Sequence, residues 1–352
     1  MLDRVRVAEK IARLSFAGDT RSQELSRAAA SRLKALCQNV LPGVALTEKI
    51  TVLRAQNSEI LDFNQDYSVL GVDGSQIYPD RSFAGGQLAI LNVGGIFLDY
   101  GEVTSSADFF SRPECLTRDV CFEEIGPFSF CPELIDLLRS VRELEVGLER
   151  WLELAAAGKA PAFLLFDGSM IHHGLHLKNI HLQRYFMERF ARVFGLFREH
   201  GIVAAWYTSL PQSRTLAALV GGEGFCDADL FEDVLSSWAM SPVFCLAQHG
   251  FAGVQVDFED SCAFVYFSTG DEIVRLEVAR WVARDLARYE KLCSMIKDQV
   301  QKGLGYPVAL TESHRQAVVA EADRQCILQL LEHMPQHSAQ TTKALRKLII
   351  PV

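Results

Sequence analysis

The amino-acid sequence predicts an α/β protein in which a mixed sheet is flanked by helices. Three observations favour this class. Short apolar runs such as 163–166 are bounded by Gly and Ser, which is typical of buried strands. Longer stretches, above all 132–157, repeat apolar residues at helical spacing. The chain has 352 residues, of which 49% are hydrophobic and 22% charged, so it can bury the core that one large or two small α/β domains need.

Residues 1–64 are predicted to form an N-terminal helical arm. Apolar side chains recur at helical spacing in 5–14 and again in 25–36, and Pro42-Gly43 ends the second stretch. Such an arm either packs on a partner or a second subunit, or covers its own domain. The spacing alone does not choose between these two arrangements.

The next part of the chain predicts an antiparallel meander of three strands. The strands cover 69–72, 87–93 and 96–100, and Gly94-Gly95 is expected to be the turn between the last two. Residues 101–130 have no regular pattern and are predicted to be an inserted loop region.

Helices and strands then alternate. A helix over 132–157, a strand over 163–167, a helix over 177–200 and a strand over 202–206 follow the meander. The predicted order is therefore three strands, a helix, a strand, a helix and a strand. This is the order of a ribonuclease-H-like sheet. The remaining predicted elements are a helix near 214–220, three β-rich runs within 242–278, a helix over 279–302, a loop at 303–307 and a last long helix capped by Thr311.

Two copies of Asp-Gly-Ser each follow an apolar strand. They are Asp73-Gly74-Ser75 and Asp167-Gly168-Ser169. Carboxylates that end neighbouring strands point to one edge of the sheet, where their hard oxygen atoms can hold a divalent cation. A single Asp-Gly is ordinary turn chemistry, but the repetition favours a shared metal site.

The helix over 132–157 offers a third carboxylate. On a helical wheel Glu145 falls on the buried stripe, whereas Glu143 points the opposite way. A carboxylate among core-facing positions is costly unless it is paired or bound to a metal. Glu145 is therefore predicted to join the site, the alternative being a residue at the edge of the stripe that reaches solvent.

Composition excludes several classes of protein. The formal net charge of −9 argues against a surface coated with basic residues for nucleic acid, although a metal-dependent nuclease has an acidic site of its own. The N-terminal residues lack the apolar region of a signal peptide, and no window resembles a membrane helix. Nine cysteines without a CxxC pair are expected to be buried thiols of a cytoplasmic protein.

At this point the chain resembles the NurA nuclease family. The resemblance rests on Val72-Asp73-Gly74-Ser75, on the glutamate-bearing helix, on Phe166-Asp167-Gly168-Ser169 and on the stretch from Gly305-Tyr306-Pro307 to Glu312-Ser313-His314. It covers roughly residues 65–325, which would form the nuclease domain. Residues 326–352 would then be a C-terminal helical tail.

The resemblance implies a ribonuclease-H-like core and a Mn²⁺- or Mg²⁺-dependent DNA nuclease. It also implies a homodimer that works with a HerA-type hexameric ATPase on DNA ends, in end resection and repair or in phage defence. The family's metal-binding and catalytic residues correspond to Asp73, Glu145, Asp167 and His314. Such a set suits two-metal hydrolysis of phosphodiesters, in which His314 would bind a metal or position the attacking water.

The chain departs from the family pattern at two places. Residues 206–210 stand where the family often has a lysine, which leaves a DNA contact there in doubt, although Ser213-Arg214 can stand in for the serine that follows. Glu312 replaces a residue that is usually small. It either joins the site or supplies favourable charge near a helix N-terminus.

Other polar residues have ordinary interpretations. A cluster of histidines resembles a metal-binding motif and consists of His172, His173 and His176, with His181 beyond. Zinc ligands four positions apart would need a helix, which Gly174 interrupts. Asp227 and Asp229 are expected to cap a helix, and Glu277 to be a surface or salt-bridged residue.

Two alternatives to a nuclease remain open from the sequence. One is a catalytically inactive NurA-like subunit that regulates the ATPase. The intact set of Asp73, Glu145, Asp167 and His314 argues against it. The other is a ribonuclease-H-like ATP phosphotransferase, which the absence of a Lys- and Gly-rich nucleotide signature disfavours.

Overall fold

The structure, a computed structural model, is built on one ten-stranded mixed sheet. It describes residues 20–48, 50–54, 59–79, 87–101, 105–126, 128–171, 175, 179–246, 250–251, 254–255 and 257–332. The strands are β1 (Ala45–Thr47), β2 (Ile50–Arg54), β3 (Tyr67–Ile77), β4 (Leu88–Tyr100), β5 (Ser106–Thr117), β6 (Phe163–Asp167), β7 (Ala204–Thr208), β8 (Val243–Leu246), β9 (Gly250–Phe251), β10 (Val254–Gln255), β11 (Cys262–Ser268) and β12 (Ile273–Ala279).

Nine α-helices accompany the strands in the described part of the chain. They are α1 (Thr20–Asn39), α2 (Arg118–Ile125), α3 (Pro132–Ala156), α4 (Ile180–Glu199), α5 (Asp227–Phe231), α6 (Arg280–Arg284), α7 (Leu286–Lys302), α8 (Val308–Ala317) and α9 (Glu321–Glu332). None of the described helices is long and apolar enough to cross a lipid bilayer.

One half of the sheet has the ribonuclease-H-like arrangement that the sequence predicts. Its strand order is β5-β4-β3-β6-β7, in which β3, β4 and β5 form the antiparallel meander. Strands β6 and β7 run parallel to β3, and the helices α3 and α4 connect them. The other half continues as β12-β11-β8-β2-β1, and every pairing in it is antiparallel.

The meander itself differs from the prediction. Strand β4 is continuous through Gly94 and Gly95, and β5 occupies residues that were expected to be an irregular loop. The two glycines are needed for close packing, because a β-carbon at Gly94 would overlap the backbone of α8 and one at Gly95 would overlap the ring of Phe110. Strand β5 was missed because it is a mostly exposed edge strand that tolerates Pro113, so it lacks an apolar pattern.

Helices cover both faces of the sheet. Leu70 and Val72 of β3 point to the face packed by α1, α3 and α4. Val69, which alternates with them, points to the face packed by α7 and α8. This division places α3 and α8 on opposite sides of β3.

Helix α1 packs on the protein's own core. Ala29, Leu33 and Cys37 are buried in the same cluster as the residues of α3 and α4. Arg32 Nε also donates a hydrogen bond of 2.6 Å to the carbonyl oxygen of Val220. This part of the predicted arm is therefore a covering helix, while the predicted helix over 5–14 lies outside the described residues.

Several predicted boundaries shift. The helix expected over 279–302 is divided at Asp285, which caps α7 by accepting a bond from the Arg288 amide. The last long helix is two helices, α8 and α9, and Pro307 rather than Thr311 precedes the first of them. The helix expected near 214–220 is only a short 3₁₀ turn, Ala217–Val220.

All nine cysteines are free thiols, as expected, and six of them are buried. The exposed ones are Cys115 and Cys326, and Cys131 is half-buried.

Candidate active site

The register between β3 and β6 brings the two aspartates together. Val72 pairs with Phe166 in parallel, so the residues that follow, Asp73 and Asp167, are lateral neighbours on one face of the sheet. Strand β6 ends at Asp167, as predicted. Asp73 instead lies inside β3, which runs on to Ile77 with β4 as its partner, so the expectation that both acids end strands is wrong for Asp73.

The chain turns sharply after Asp167. Gly168 has a φ of +88°, a conformation that side chains other than glycine rarely adopt. Its amide donates a hydrogen bond of 2.9 Å to the carbonyl oxygen of Tyr207, and its carbonyl oxygen accepts one of 2.6 Å from Thr208 Oγ1. The turn is thereby tied to the end of β7, which fixes the direction of the Asp167 carboxylate.

Glu277 holds the turn from the other side. Its Oε2 accepts hydrogen bonds from Ser169 Oγ at 2.8 Å and from the Met170 amide at 2.7 Å, and its Oε1 is paired with Arg275 Nε at 2.7 Å. Of the two predictions for Glu277, the salt-bridged residue is confirmed, and the side chain is almost completely buried. The second Asp-Gly-Ser is therefore anchored to β12.

Helix α8 brings a histidine to Asp73. The helix lies directly on β3 and β4, where Gly71 and Gly94 leave no side chain between the two backbones. His314 Nδ1 lies 2.7 Å from Asp73 Oδ2. The imidazole is 67% exposed at its side chain, so it remains open to solvent and to a substrate. His314 and Asp73, which were both predicted as site residues, are therefore in direct contact.

Tyr306 is a site residue that the sequence reasoning did not single out. Its hydroxyl donates a hydrogen bond to Asp167, and its ring packs edge-on against Tyr207 with the centroids 5.5 Å apart. Burial raises the pKa of Asp167, as does the charge of Asp73, whereas the bond from Tyr306 lowers it. The position of Tyr306 between Gly305 and Pro307, in the stretch that carried the family resemblance, was the signal that could have identified it.

The glutamate beside the aspartates is Glu143. It lies against Gly74, where a β-carbon would overlap its carboxylate, and it forms an ion pair of 2.6 Å with Arg139. Burial raises the pKa of Glu143 to about 7, Arg139 opposes this shift, and the charges of Asp73 and Asp167 add to it. The charges of both aspartates therefore act on the Glu143 carboxylate.

Glu145 lies elsewhere, which corrects the prediction. Its carboxylate is bound by Arg189 at 2.6 Å, Arg142 at 3.0 Å and Arg192 at 3.3 Å. Although burial opposes the change, the bonds and charges of Arg189 and Arg142 lower its pKa. The helical wheel placed Glu145 correctly on a buried stripe, but α3 is buried on two sides, so burial does not show which glutamate faces β3. Glu145 faces α4, and Glu143 faces β3.

The remaining candidates stay outside this cluster. Asp227 accepts hydrogen bonds from the amides of Leu216 and Ala217, and Asp229 caps α5 by accepting one from the Cys226 amide. Glu312 forms an ion pair of 2.6 Å with Arg315. His172, His173 and His176 lie outside the described residues, whereas His181 begins α4.

The donor set fits a hard divalent cation. Asp73 and Asp167 are neighbours on adjacent strands, His314 contacts Asp73, and the charges of both aspartates act on Glu143. Carboxylate oxygens with a histidine are ligands that suit Mn²⁺ or Mg²⁺. Burial and the neighbouring carboxylates raise the pKa values of Glu143 and Asp167, so a bound cation would favour their charged forms. Within the described ranges no three acidic, histidine or cysteine side chains lie close enough together to hold a metal ion as they stand. Arg139 and His314 engage two of the acids instead.

One family model matches most of this chain. The model of the NurA domain matches residues 67–319. A crystal structure of NurA bound to dAMP and manganese is 10% identical and covers 80% of this chain and 91% of its own, with a TM-score of 0.43. A NurA structure with manganese is 11% identical (79% and 91% covered, TM-score 0.42), and a further NurA structure is 10% identical (84% and 90% covered, TM-score 0.42). No curated protein sequence matches the chain.

Proposed function

This chain belongs to the NurA domain family, and from that premise we propose that it is a metal-dependent nuclease that hydrolyses phosphodiester bonds in DNA. Family membership supports the nuclease-type function. The observation that carries the proposal is that Asp73 and Asp167 are neighbours on adjacent strands, with His314 in contact with Asp73 and Glu143 under the influence of both charges.

Asp73, Asp167 and Glu143 would hold the metal, with His314 as a nitrogen ligand. Asp73, Asp167 and His314 are the residues expected from the sequence. Glu143 replaces Glu145, which was expected as the fourth. We propose Mn²⁺ or Mg²⁺ as the cofactor, and manganese is present in two of the NurA structures named above. Such ions, when bound, supply a nucleophile from water at neutral pH and stabilise the charge of the leaving oxygen.

The protein's own groups have separate tasks in this proposal. The Tyr306 hydroxyl orients the Asp167 carboxylate by donating a hydrogen bond to it, and this bond opposes the rise in pKa that burial causes. Asp73 orients the imidazole of His314 through Nδ1, and the exposed ring leaves its other nitrogen free to bind the metal. The Arg139 guanidinium holds Glu143 and stays near the cluster as a cation for the phosphate.

Asp73→Asn and Asp167→Asn test the site. Each variant keeps the shape of the side chain but removes one charge, so cleavage of end-labelled DNA in Mn²⁺ should fall by about 100-fold or more while the fold is kept. Binding of Mn²⁺, measured by calorimetry, should weaken in parallel. Asp229→Asn, at the cap of α5, is the control and should cleave DNA as the wild type does. Wild-type cleavage rates in either site variant, or equal rates in EDTA, would contradict the proposal.

We extend the proposal to partners on the strength of the family resemblance. The net charge of −9 leaves little general affinity for DNA, so a motor that delivers the strand would complement this nuclease. We propose a cytoplasmic homodimer that receives DNA from a HerA-type hexameric ATPase, in end resection and repair or in phage defence. Light scattering of the full chain should give twice 39.2 kDa, and the ATPase from the same genome should stimulate cleavage. A monomer at micromolar concentration would remove the dimer from the proposal, and an ATPase without effect would remove the motor.

A further inference from the structure

The face of β3 that points to α3 continues beyond the acidic cluster. Alternate residues of a strand share a face, so Gln76 follows Gly74 there, and Tyr78 comes just after the end of the strand. Opposite them lies the first half of α3, with Asp136 and Arg139. None of these side chains except Arg139 has a task in the chemistry described above.

Tyr78 presents an aromatic ring whose hydroxyl is fixed. The hydroxyl donates a hydrogen bond of 2.7 Å to Asp136 Oδ1 and accepts one of 2.7 Å from Gln76 Nε2. Gln76 Nε2 also lies 3.3 Å from Asp136 Oδ1, which closes a triangle of three side chains. The residue is nevertheless 38% exposed. A ring held at one end and open to solvent is a platform on which a flat group can stack with little loss of side-chain entropy.

Arg139 lies between this ring and the acids. Its Nη1 donates to Glu143 at 2.6 Å and to the carbonyl oxygen of Gly74 at 3.3 Å. Its Nε is buried without a hydrogen-bond partner among the described residues. The charges of Glu143, Asp73 and Asp136 all act on the guanidinium, so it is the cation that links the cluster to Tyr78. A guanidinium has five donors, which leaves capacity for a phosphate.

We propose that Tyr78 and Arg139 form a subsite for a nucleotide of a single nucleic-acid strand. The base stacks on Tyr78, and Arg139 binds a phosphate on the path to the acidic cluster, while Gln76 and Asp136 position the ring. Tyr78 lies five positions beyond Asp73, which is about 17 Å of extended chain, so the stacked base lies a short distance along the nucleic-acid strand from the bond to be cut. This subsite rests on the proposed nuclease function, because it holds the strand that the cluster would cleave.

Tyr78→Ala tests the stacking. Fluorescence anisotropy with labelled oligothymidylate and oligouridylate in EDTA measures binding without cleavage, and cleavage in Mn²⁺ is measured separately. Stacking of a base on an aromatic ring is worth about 1–3 kcal/mol, so the variant should bind about 5- to 100-fold more weakly. Tyr78→Phe keeps the ring but loses the bond to Asp136, and should bind as the wild type does. Phe122→Ala removes an aromatic residue of similar exposure from α2 and should change nothing.

Arg139→Gln tests the phosphate contact through its salt dependence. Loss of one phosphate contact should reduce the slope of log K against log salt concentration by about 0.7, which a loss of stability would not do. Arg284→Gln is the control. Arg284 lies on α6 and is paired with Glu259, and its loss should leave the slope unchanged.

The outcomes separate this subsite from the nuclease itself. If the wild type cleaves DNA and Tyr78→Ala binds and cleaves equally well, the subsite is wrong and the nuclease stands. If the wild type binds the strand through Tyr78 but cleaves nothing, the subsite stands without the nuclease. Equal losses in Tyr78→Phe and Tyr78→Ala would show that only the bond to Asp136 matters, which contradicts stacking. A wild type that neither binds nor cleaves contradicts both.

Discussion

At the scale of single residues, the site depends on which glutamate of α3 faces β3. Glu143 and Glu145 are two positions apart and therefore about 200° apart on the helix. Both are removed from solvent, but into different surroundings: Glu143 lies with two aspartates and one arginine, and Glu145 with three arginines. The pKa of the first is raised and that of the second is lowered. We therefore propose Glu143, and not Glu145, as the metal ligand.

Parallel glutamine variants should separate these two roles. Glu143→Gln should reduce cleavage in Mn²⁺ by about 100-fold or more, since it removes a proposed ligand, while the protein stays folded. Glu145→Gln should leave the cleavage rate of the folded protein near wild type. It should lower the free energy of unfolding by about 1–3 kcal/mol, because it removes the buried charge that pairs with Arg189 and Arg142. Steady-state kinetics and urea denaturation of both variants provide the measurement, and an exchange of the two phenotypes would assign the metal ligand to Glu145.

At the scale of elements, the position of α8 decides whether His314 reaches Asp73. The helix is seated on bare backbone at Gly71 and Gly94, and its end is held by Asn92 Nδ2, which donates to the carbonyl oxygens of Gln316 and Ala317 at 3.1 and 2.9 Å. Its start is held by Gln299 of α7, whose Oε1 accepts a bond of 3.0 Å from the Ala309 amide. The helix is thus fixed at both ends.

Gly94→Ala should displace this helix. The added methyl group would overlap the backbone of Gln316 and Ala317, so the variant should lose about 1–3 kcal/mol of stability and, because His314 moves away from Asp73, much of its activity. Gly195→Ala is the matched control. Its β-carbon would meet open space in the middle of α4, and it should gain about 0.5–1 kcal/mol. Thermal unfolding and cleavage assays measure both. A Gly94→Ala protein with wild-type activity would show that α8 does not position His314.

The same elements show what the sequence could predict and why the rest was out of reach. The ribonuclease-H-like order and the positions of Asp73, Asp167 and His314 follow from apolar runs, turn chemistry and family resemblance. Gly94-Gly95 was interpreted as a turn because close packing of a helix against a strand leaves the same glycines in the sequence as a hairpin does. Strand β5 is an exposed edge and lacks an apolar pattern. Helix α3 has an apolar stripe, but it is buried on two sides, so the stripe does not show which face lies on β3.

At the scale of the whole molecule, the stability of this acidic protein is expected to depend on pH. Acidic groups outside the proposed metal site contribute to this dependence. Asp260 is 2% exposed, and its Oδ1 has no hydrogen-bond partner among the described residues. Arg198 Nε lies 3.6 Å away from that atom. Burial raises the pKa of Asp260 from 3.8 to about 6, Arg198 opposes the change, and the charges of Asp257 and Glu259 add to it.

Asp260→Asn should therefore stabilise the protein in a pH-dependent way. Because the folded state binds the proton more tightly than the unfolded state, the contribution of Asp260 is fully present below pH 3.8 and is lost as the pH rises through about 6. The variant should exceed the wild type by about 1–3 kcal/mol at pH 7.5, and by less at pH 5, in urea denaturation. Asp257→Asn is the control of opposite sign, since its pairing with Arg198 lowers the pKa of Asp257 and its loss should weaken the protein slightly at pH 7.5. An Asp260→Asn advantage that is equal at both pH values would show that burial of the charge is not its cause.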